Sequence, residues 1–435
     1  MNAINESWQR EAASQVLRFI TAGSVDDGKS TLIGRLLFDS KGVYTDQLRA
    51  LENSKYRRTP DEAPNLALLT DGLEAEREQG ITIDVAYRYF ATPKRKFIVA
   101  DAPGHEQYTR NMVTGASTAD AAIILVDAAK APDGELLVQT RRHSTIAQLL
   151  GVRHIVLAVN KLDLLDWDEA VFQRIVQSYH RLAERIGIGG FQAIPISALH
   201  GDNIVHASAH TPWYQGPALL DHLESLPGSQ DLSHGPLRFA VQWVARHNGH
   251  QADALRGYAG QLASGVLRVG DEVRVQPSGE SARVQSLLTS DGAIELAVAG
   301  QPVTVVLNKE VDVSRGNWFT HAEQAPVVGN QFEADLCWLD TRPASLARRY
   351  LIKHGTQLSS AKLQQVRTRR DLQRLEETAV HDGELSVNDI GRVTLKTRDA
   401  LAFDDYRDLA ATGAFILIDE ATHQTVAGGM IRLRD

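Results

Sequence analysis

The stretch GSVDDGKST at residues 23–31 is the feature that most limits how this chain can fold. It follows the apolar run VLRFITAG (16–23) and opens the helical pattern KSTLIGRLLFDS (29–40). Its letters fit G-x-x-x-x-G-K-[ST], in which glycines let successive backbone N–H groups converge on phosphate oxygens. Taken alone, the stretch is also compatible with a plain glycine-rich turn. Either interpretation predicts a strand, a tight loop and a helix in succession, as in an α/β fold.

Strands and helices continue to alternate up to about residue 226. Runs of strand length that are apolar throughout are expected where helices cover both faces of a sheet. Four more such runs are present, KFIVADA (96–102), AAIILVDA (121–128), HIVLAVN (154–160) and FQAIPIS (191–197). A helix before a C-cap at Gly187 is predicted by apolar residues three or four apart, namely Phe172, Ile175, Tyr179, Leu182 and Ile186. The pattern predicts a doubly wound, mostly parallel sheet.

The pattern changes at LPGSQDLSHGP (226–236), a polar stretch rich in Gly, Ser and Pro that we interpret as a linker. Beyond it, short β-forming runs alternate with turn glycines, as in LRFAVQWVA, GYAGQLASG and QPVTVVLN. These runs predict an antiparallel barrel or sandwich, and a second β-rich unit follows from about residue 326. We therefore expect three domains, at residues 1–232, 237–324 and 325–435.

The composition argues against several classes of function. Of 435 residues, 43% are apolar and 23% charged, the net charge is -8, and no long basic run is present. Nucleic acid is therefore not an expected partner. The single cysteine, Cys337, fits a reducing compartment. The first residues do not form a secretory signal pattern, and the longest apolar stretch, AAIILVDAA (121–129), is too short to span a bilayer, so we expect a cytoplasmic protein without a membrane partner.

In the phosphate loop, residues 23–31, both backbone groups and side chains are expected to contact the nucleotide or its metal ion. Lys29 is expected to reach the outer phosphates of a nucleotide, and the Ser30 hydroxyl is expected to bind Mg²⁺. The whole loop is expected to line the phosphates, through Gly23, Ser24, Val25, Asp26, Asp27, Gly28, Lys29, Ser30 and Thr31.

Two later stretches are candidates for contact with the γ-phosphate. The hydroxyl of Thr82, in EQGITID, is a candidate to complete the Mg²⁺ shell, although without the other motifs Thr82 would be interpreted as an ordinary residue entering a strand. Asp101, at the end of a predicted strand, is expected to hold a Mg²⁺-bound water, and the Gly104 N–H to bond the γ-phosphate. A segment that is tethered only through the γ-phosphate is released after hydrolysis, which would make it a switch.

The base of the nucleotide is predicted from NKLD (160–163), which ends a strand. The carboxylate of Asp163 suits the N1–H and 2-amino groups of guanine, a paired donor edge that adenine lacks, and Asn160 lies three residues earlier. Lys161 can lay its stem over the ring plane. The next strand ends in SAL, and this segment is expected to direct a backbone N–H toward the guanine oxygen, through Ser197, Ala198 and Leu199. Together these motifs favour GTP or GDP as the ligand.

With these motifs in place, the chain resembles the translation-factor-like GTPases typified by elongation factor Tu. The stretches SVDDGKST, EREQGITID, DAPGHEQY and NKLD match that group in order and spacing. The resemblance implies a P-loop GTPase domain followed by two antiparallel β-barrels. It also implies that His105, which directly follows Gly104, orients the hydrolytic water, and that Lys29 and Mg²⁺ offset the charge of the phosphates.

Within that group, the chain most resembles the GTPase large subunits of bacterial sulfate adenylyltransferase (ATP sulfurylase). The stretches that carry this resemblance include GSVDDGKSTLIGRLLFDSK (23–41), DAPGHEQYTRNMVTGASTAD (101–120) and TGAFILIDEATHQTVAGGMI (412–431). Ser24 and Asp27 stand where elongation factor Tu typically has histidines. Some members are fused to an adenylylsulfate kinase, which would need a second phosphate loop; none is present, and we expect the stand-alone form.

The resemblance implies that GTP hydrolysis drives the formation of adenosine 5′-phosphosulfate and pyrophosphate from ATP and sulfate. A separate small subunit of the PP-loop type would carry the adenylyl transfer and form a heterodimer or a higher assembly with this chain. The alternative is an elongation factor-like GTPase that carries aminoacyl-tRNA. The net charge of -8 and the branch-specific stretches favour the sulfate-activating subunit.

Other conspicuous residues are given no catalytic role. We interpret RRH (141–143) as one exposed helix face, and the histidines of HGDNIVHASAH (200–210) as loop residues without the paired spacing of a zinc site. Trp213 is expected to pack at the edge of its domain.

Overall fold

The computed structural model describes residues 16–40, 66, 85–105, 109–228, 232–247, 255–371, 376–380 and 383–434. These residues form two compact units. One contains the described residues up to 228, and the other contains nearly all of those from 232 onward. The stretch that the sequence predicted as a linker, 226–236, spans this division.

A six-stranded sheet forms the middle of the first unit. Its strands are β1 (Val16–Ala22), β2 (Ala86–Ala91), β3 (Lys96–Asp101), β4 (Ala121–Asp127), β5 (His154–Asn160) and β6 (Phe191–Pro195). They lie in the order β2-β3-β1-β4-β5-β6, and all neighbouring pairs are parallel except β2 with β3. The five predicted strands are confirmed. The sequence did not predict β2, whose residues are mostly exposed or half-buried and give no apolar run.

Within the described part of this unit, five helices accompany the sheet, α1 (Lys29–Asp39), α2 (Thr109–Ala116), α3 (Val138–Leu149), α4 (Glu169–Ile186) and α5 (Leu219–Ser225). The helix predicted from apolar spacing is α4. It begins where the Asp168 carboxylate accepts a hydrogen bond from the Ala170 N–H at 2.7 Å, and it ends at Gly187, whose φ of 82° is left-handed. Four of its five predicted core residues are buried, and Ile186 is half-buried.

α1 packs against the sheet through the hydrophobic core of the first unit. Leu32, Ile33 and Leu36 of α1 are fully buried in one cluster with Phe19 of β1. The Phe19 ring also makes edge contacts with two neighbouring aromatic rings at centroid distances of 6.3 Å. Since α1 directly follows the phosphate loop, this packing holds the loop at the end of β1.

The first part of the second unit is a closed barrel. Its strands are β7 (Arg238–His247), β8 (Leu255–Ser264), β9 (Val266–Arg268), β10 (Glu272–Gln276), β11 (Ser281–Thr289), β12 (Gly292–Ile294), β13 (Leu296–Val298), β14 (Pro302–Leu307) and β15 (Trp318–Thr320). Six of them pair antiparallel in the order β10-β15-β7-β8-β14-β11, and β11 pairs back to β10. Closure removes free sheet edges. A barrel, not a sandwich, is therefore present.

The second part of the unit closes in the same way. It contains β16 (Val327–Trp338), β17 (Tyr350–His354), β18 (Gln357–Asp371), β19 (Glu376–Ala379), β20 (Ile390–Phe403), the short helix α6 (Ala410–Gly413), β21 (Ala414–Asp419) and β22 (Thr425–Arg432). The ring runs β17-β21-β22-β16-β20-β18, and β18 pairs back to β17. The predicted fold class, an α/β domain followed by two antiparallel barrels, is confirmed. The proposed division between the barrels, at 237–324 and 325–435, stays a prediction.

Arg238 links the two barrels within the second unit. Its side chain is 2% exposed, and it forms a two-pronged ion pair with Asp404, with both N–O distances at 2.8 Å. Its third nitrogen donates to the carbonyl oxygens of Leu237 and Gln324. Asp404 in turn accepts a hydrogen bond from the Thr412 hydroxyl. A buried arginine with each terminal nitrogen bonded is a geometrically specific contact.

The described helices include none that is long and apolar enough to cross a membrane.

Candidate functional site

The sheet brings the predicted site residues to one edge. Because β1, β3, β4, β5 and β6 are parallel, their carboxyl ends meet on the same side of the sheet. The phosphate loop follows β1, Asp101 ends β3, Asn160 ends β5, and Ser197 lies just after β6. Segments far apart in the sequence therefore lie side by side, as a nucleotide site in an open α/β sheet requires.

Close backbone packing shapes the phosphate loop. Gly28 has a φ of 94°, and a Cβ there would lie 2.5 Å from Nδ2 of Asn160. A Cβ on Gly23 would lie 2.9 Å from the carbonyl oxygen of Leu125. The loop therefore needs glycine at both positions that the motif specifies. Inside the loop, the carboxylate of Asp27 accepts a hydrogen bond from the Ser24 N–H at 2.6 Å.

Lys29 curls back over the loop. Its Nζ donates to the carbonyl oxygens of Ser24 at 2.7 Å and Gly23 at 3.2 Å, and the residue is 7% exposed. Burial lowers the pKa of Lys29, while the nearby carboxylates of Asp101 and Asp27 oppose that shift. An ammonium group held at the mouth of a loop of backbone N–H groups suits an anionic phosphate.

Ser30 and Asp101 offer oxygen ligands of the kind that Mg²⁺ takes. The Ser30 hydroxyl donates to Oδ2 of Asp101 at 3.1 Å, and the other oxygen accepts a hydrogen bond from the Thr21 hydroxyl at 3.2 Å. The two predicted Mg²⁺ residues are thus adjacent, and their donor set fits the ion. Thr82, the third predicted metal residue, lies outside the described residues.

The segment after Asp101 lies directly against the phosphate loop. A Cβ on Gly104 would lie 2.6 Å from Nζ of Lys29 and 2.9 Å from the backbone nitrogen of Val25. Only a residue without a side chain fits this approach. His105 follows and is exposed. The structure therefore places Gly104 beside the loop, and its contact with a γ-phosphate stays a prediction.

Asn160 joins the phosphate loop to the segment after β6. The residue is 2% exposed; its Nδ2 donates to the carbonyl oxygen of Asp27 at 2.8 Å, and its Oδ1 accepts the Ala198 N–H at 2.9 Å. The Ala198 N–H, predicted to face a guanine oxygen, is thus bonded to Asn160 in this structure. Ser197 is buried and its hydroxyl accepts the His200 N–H at 3.3 Å, whereas Leu199 is 57% exposed.

Lys161 and Asp163 follow Asn160 in the NKLD stretch. Lys161 has a left-handed φ of 63°, and its Nζ donates to the Asp26 carbonyl oxygen at 2.6 Å and to Asp127 at 2.8 Å. Oδ1 of Asp163 is buried and has no hydrogen-bond partner among the described residues. Its other oxygen lies 3.8 Å from Nε2 of His200. A buried carboxylate oxygen without a donor is costly, and a ligand with N–H groups would satisfy it.

Comparison with known proteins decides the family. Sulfate adenylyltransferase subunit 1 of Bacteroides thetaiotaomicron is 48% identical over 430 residues, which cover 97% of this chain and 87% of that protein. The protein of the same name from Shewanella oneidensis is 49% identical, covering 99% of this chain and 88% of that protein. This chain belongs to the sulfate adenylyltransferase subunit 1 family. The resemblance that the motifs predicted is confirmed.

As a member of the sulfate adenylyltransferase subunit 1 family, the chain also matches three domain families. Residues 14–229 match the elongation factor Tu GTP binding domain, residues 259–320 match elongation factor Tu domain 2, and residues 331–432 match the GTP-eEF1A C-terminal domain-like family. A crystal structure of Sup35 complexed with GMPPNP is similar over 98% of this chain and 96% of that chain, with 21% identity and a TM-score of 0.43. The family match over residues 14–229 shows a GTPase domain of the elongation factor Tu type.

Sequence reasoning missed one buried histidine, His143, that contacts the phosphate loop. The interpretation of 141–143 as one exposed helix face is wrong: Arg141 and Arg142 are half-buried, and His143 is 1% exposed. Nδ1 of His143 accepts the Gly23 N–H at 3.1 Å. Burial lowers the pKa of His143 to about 3, with Lys29 and Arg142 adding to the shift. His143 lies on the buried face of α3, together with Thr140, Ser144 and Ile146, and there supplies an acceptor for the Gly23 N–H.

Sequence reasoning also missed Asp127 and Lys130. Asp127 ends β4 and is 4% exposed, and Lys130 lies three residues later. Nζ of Lys130 donates to the Val25 carbonyl oxygen at 2.7 Å. Both residues lie at the carboxyl end of an apolar strand of the parallel sheet, so their position at this edge was a usable signal.

Sequence reasoning missed Arg35 as well. Its side chain donates a hydrogen bond to the Leu199 carbonyl oxygen and so holds the segment after β6 to α1.

Proposed function

We propose that this chain binds GTP with Mg²⁺, hydrolyses it, and thereby drives sulfate activation as the GTPase subunit of a sulfate adenylyltransferase. The observation that carries the choice of nucleotide is the buried Oδ1 of Asp163, which has no hydrogen-bond partner among the described residues and lies beside an asparagine that is bonded to the phosphate loop. Guanine presents two adjacent N–H donors to such a carboxylate, and adenine does not. The names of the relatives, sulfate adenylyltransferase subunit 1, support the choice of reaction.

The phosphates would lie in the loop between Gly23 and Thr31. Lys29 would leave the carbonyl oxygens of Gly23 and Ser24 and turn its ammonium group to the outer phosphates. Ser30 and Asp101 would hold the metal side of the site, with Thr82 as the further hydroxyl ligand. Bound Mg²⁺ would supply positive charge where negative charge develops on the phosphate oxygens.

His105 is the residue that we assign to the hydrolytic water. It is exposed and directly follows Gly104, whose backbone lies against the phosphate loop. A side chain at this position can orient a water molecule in line with the terminal phosphorus, while the Gly104 N–H donates to that phosphate. Catalysis then consists of positioning and charge neutralisation, without a covalent intermediate on the protein.

We assign the adenylyl transfer to a separate small subunit of the PP-loop type. The sites described above account for one nucleotide, and they contain Lys29 and His105 for attack of water on a phosphate, not for attack of sulfate on ATP. The two chains together would form adenosine 5′-phosphosulfate and pyrophosphate in the cytoplasm, and GTP hydrolysis here would drive that unfavourable step.

One reconstitution tests this proposal. The chain is mixed with a candidate PP-loop small subunit, ATP and sulfate, with and without GTP, and adenylylsulfate is measured by chromatography. We expect product formation that requires both subunits and GTP. Lys29→Ala should abolish GTP dependence, because it removes the charge that faces the phosphates, and Lys94→Ala, at an exposed lysine, should not. A yield independent of GTP, or GTP hydrolysis stimulated by ribosomes instead, would support the alternative carrier of aminoacyl-tRNA.

A further inference from the structure

Asp27 places a carboxylate inside the phosphate loop. Its side chain is fully buried, Oδ2 accepts the Ser24 N–H at 2.6 Å, and Oδ1 lies 3.5 Å from Nζ of Lys130. Burial raises the pKa of Asp27, and Lys29, the Ser24 N–H and Lys130 oppose that shift. A negative charge at this place is unfavourable for a loop that must hold phosphate oxygens, unless a cation offsets it.

Lys130 reaches the loop from the short turn after β4. Its Nζ donates to the Val25 carbonyl oxygen at 2.7 Å, while the side chain is 38% exposed. Lys161 donates to the next carbonyl oxygen, that of Asp26, at 2.6 Å. Two lysines therefore each hold one of two consecutive carbonyl oxygens of the loop.

The charges around the loop are closely balanced. Lys29 interacts with Asp101, Asp27 and Asp26, so that three carboxylates share the one ammonium group that must serve the phosphates. Lys130 lies 3.5 Å from Asp27 and 3.9 Å from Asp127. Lys130 is therefore a second cation beside Asp27, and it shares the charge of that carboxylate with Lys29.

We propose that Lys130 is a positioning residue for nucleotide binding, which offsets the buried charge of Asp27 and thereby makes the phosphate loop accept a nucleotide phosphate. This inference rests on the proposed function in one respect, that the phosphates of GTP and GDP bind in this loop. Asp27 and Lys130 act as a pair, so the effect of removing one depends on the presence of the other.

A double-mutant cycle on the purified chain tests the pair. The dissociation constants of fluorescent GDP and GTP are measured for the wild type, Lys130→Met, Asp27→Asn and the double variant. Met keeps the length of the side chain without its charge, and Asn keeps the acceptor for the Ser24 N–H. We expect Lys130→Met to weaken GDP binding by about tenfold or more, equivalent to about 1.4 kcal/mol. In the Asp27→Asn background, the same change should cost at most about threefold.

Two controls separate this role from a general loss of structure. Lys130→Arg keeps the charge and should retain binding close to that of the wild type. Lys94→Met removes an exposed lysine that is paired with Glu224 at 2.7 Å, and it should leave affinity unchanged. Undiminished GDP binding by Lys130→Met, or an equal loss in both backgrounds, would overturn the inference while the proposed function stands. Failure of the wild type to bind GDP and GTP would overturn both.

Discussion

The imidazole of His143 holds the first residue of the phosphate loop. Its Nδ1 accepts the backbone N–H of Gly23 at 3.1 Å, and it is 1% exposed. Only a neutral imidazole with its proton on Nε2 can accept at Nδ1. The loop is therefore anchored by a side chain from α3, separated from it by 120 positions in the sequence.

His143→Leu should destabilise the first unit and weaken nucleotide binding. The variant leaves the Gly23 N–H buried without an acceptor, at a cost of about 1–3 kcal/mol in the free energy of unfolding. His143→Asn keeps an acceptor oxygen near the position of Nδ1 and should lose less. Urea unfolding followed by the helical circular dichroism signal measures the first effect, and titration with fluorescent GDP measures the second. A Leu variant as stable as the Asn variant would contradict the role of this hydrogen bond.

His143 should also make stability depend on pH. Burial lowers its pKa from 6.5 to about 3 in the folded chain, so that below pH 6.5 the unfolded state takes up a proton that the folded state does not. The contribution of His143 to the free energy of unfolding is complete above pH 6.5 and is lost as the pH falls toward 3. This one residue changes the free energy of unfolding by up to about 1.4 kcal/mol per pH unit. We expect the stability advantage of the wild type over His143→Asn to shrink across this range, measured by urea unfolding at several pH values; a constant advantage would argue against a neutral buried imidazole.

Asp163→Asn should change the preference for the base. The carboxylate is expected to accept two N–H groups of guanine, and its loss should weaken GTP binding by about a hundredfold or more, since hydrogen bonds to charged groups contribute about 1.5–3 kcal/mol each. Xanthine has an oxygen where guanine has the 2-amino group, so binding of xanthosine triphosphate should improve. Asp166→Asn, at an exposed neighbour, is the matched control. Unchanged selectivity between the two triphosphates would refute the assigned role.

His105→Ala should separate hydrolysis from binding. Because the residue is assigned to the water and not to the nucleotide, GTP affinity should stay within about threefold of the wild type, while single-turnover hydrolysis should slow by about a hundredfold. His180→Ala, which removes a histidine that is 64% exposed on α4, should change neither quantity. A large loss of GTP binding in His105→Ala would instead indicate that the residue shapes the loop.

Arg238→Met should lower the free energy of unfolding of the second unit far more than the loss of a surface ion pair does. Removal of this buried arginine leaves Asp404 without its two-pronged partner, and breaking a buried pair from one side costs about 3–5 kcal/mol. Arg398→Met breaks an exposed pair with Asp399 of 2.9 Å and should cost at most about 1 kcal/mol. Urea unfolding followed by tryptophan fluorescence compares the two variants. Equal costs would show that burial of the Arg238 pair contributes nothing.

Much of the site was predictable because its chemistry depends on neighbouring residues. The phosphate loop needs glycines and a lysine at fixed spacing on consecutive backbone groups, and Gly23, Gly28 and Lys29 lie where that spacing predicts. α4 was predictable for the same reason, since a period of 3.6 residues and a glycine cap are local properties. The Ala198 N–H was harder to predict, because its partner Asn160 lies 38 positions away.

The sequence by itself therefore determined the ordered motifs, the alternation of strands and helices, and the change to β-rich units after the linker. Tertiary structure alone decided which distant side chains support those motifs: His143 on Gly23, Lys130 on Val25 and Asp27, and Arg238 on Asp404 across 166 positions. Local patterns follow from steric and periodic rules within a few residues. Partners at long separation depend on strand order and register, which bring together residues whose spacing in the sequence carries no such information.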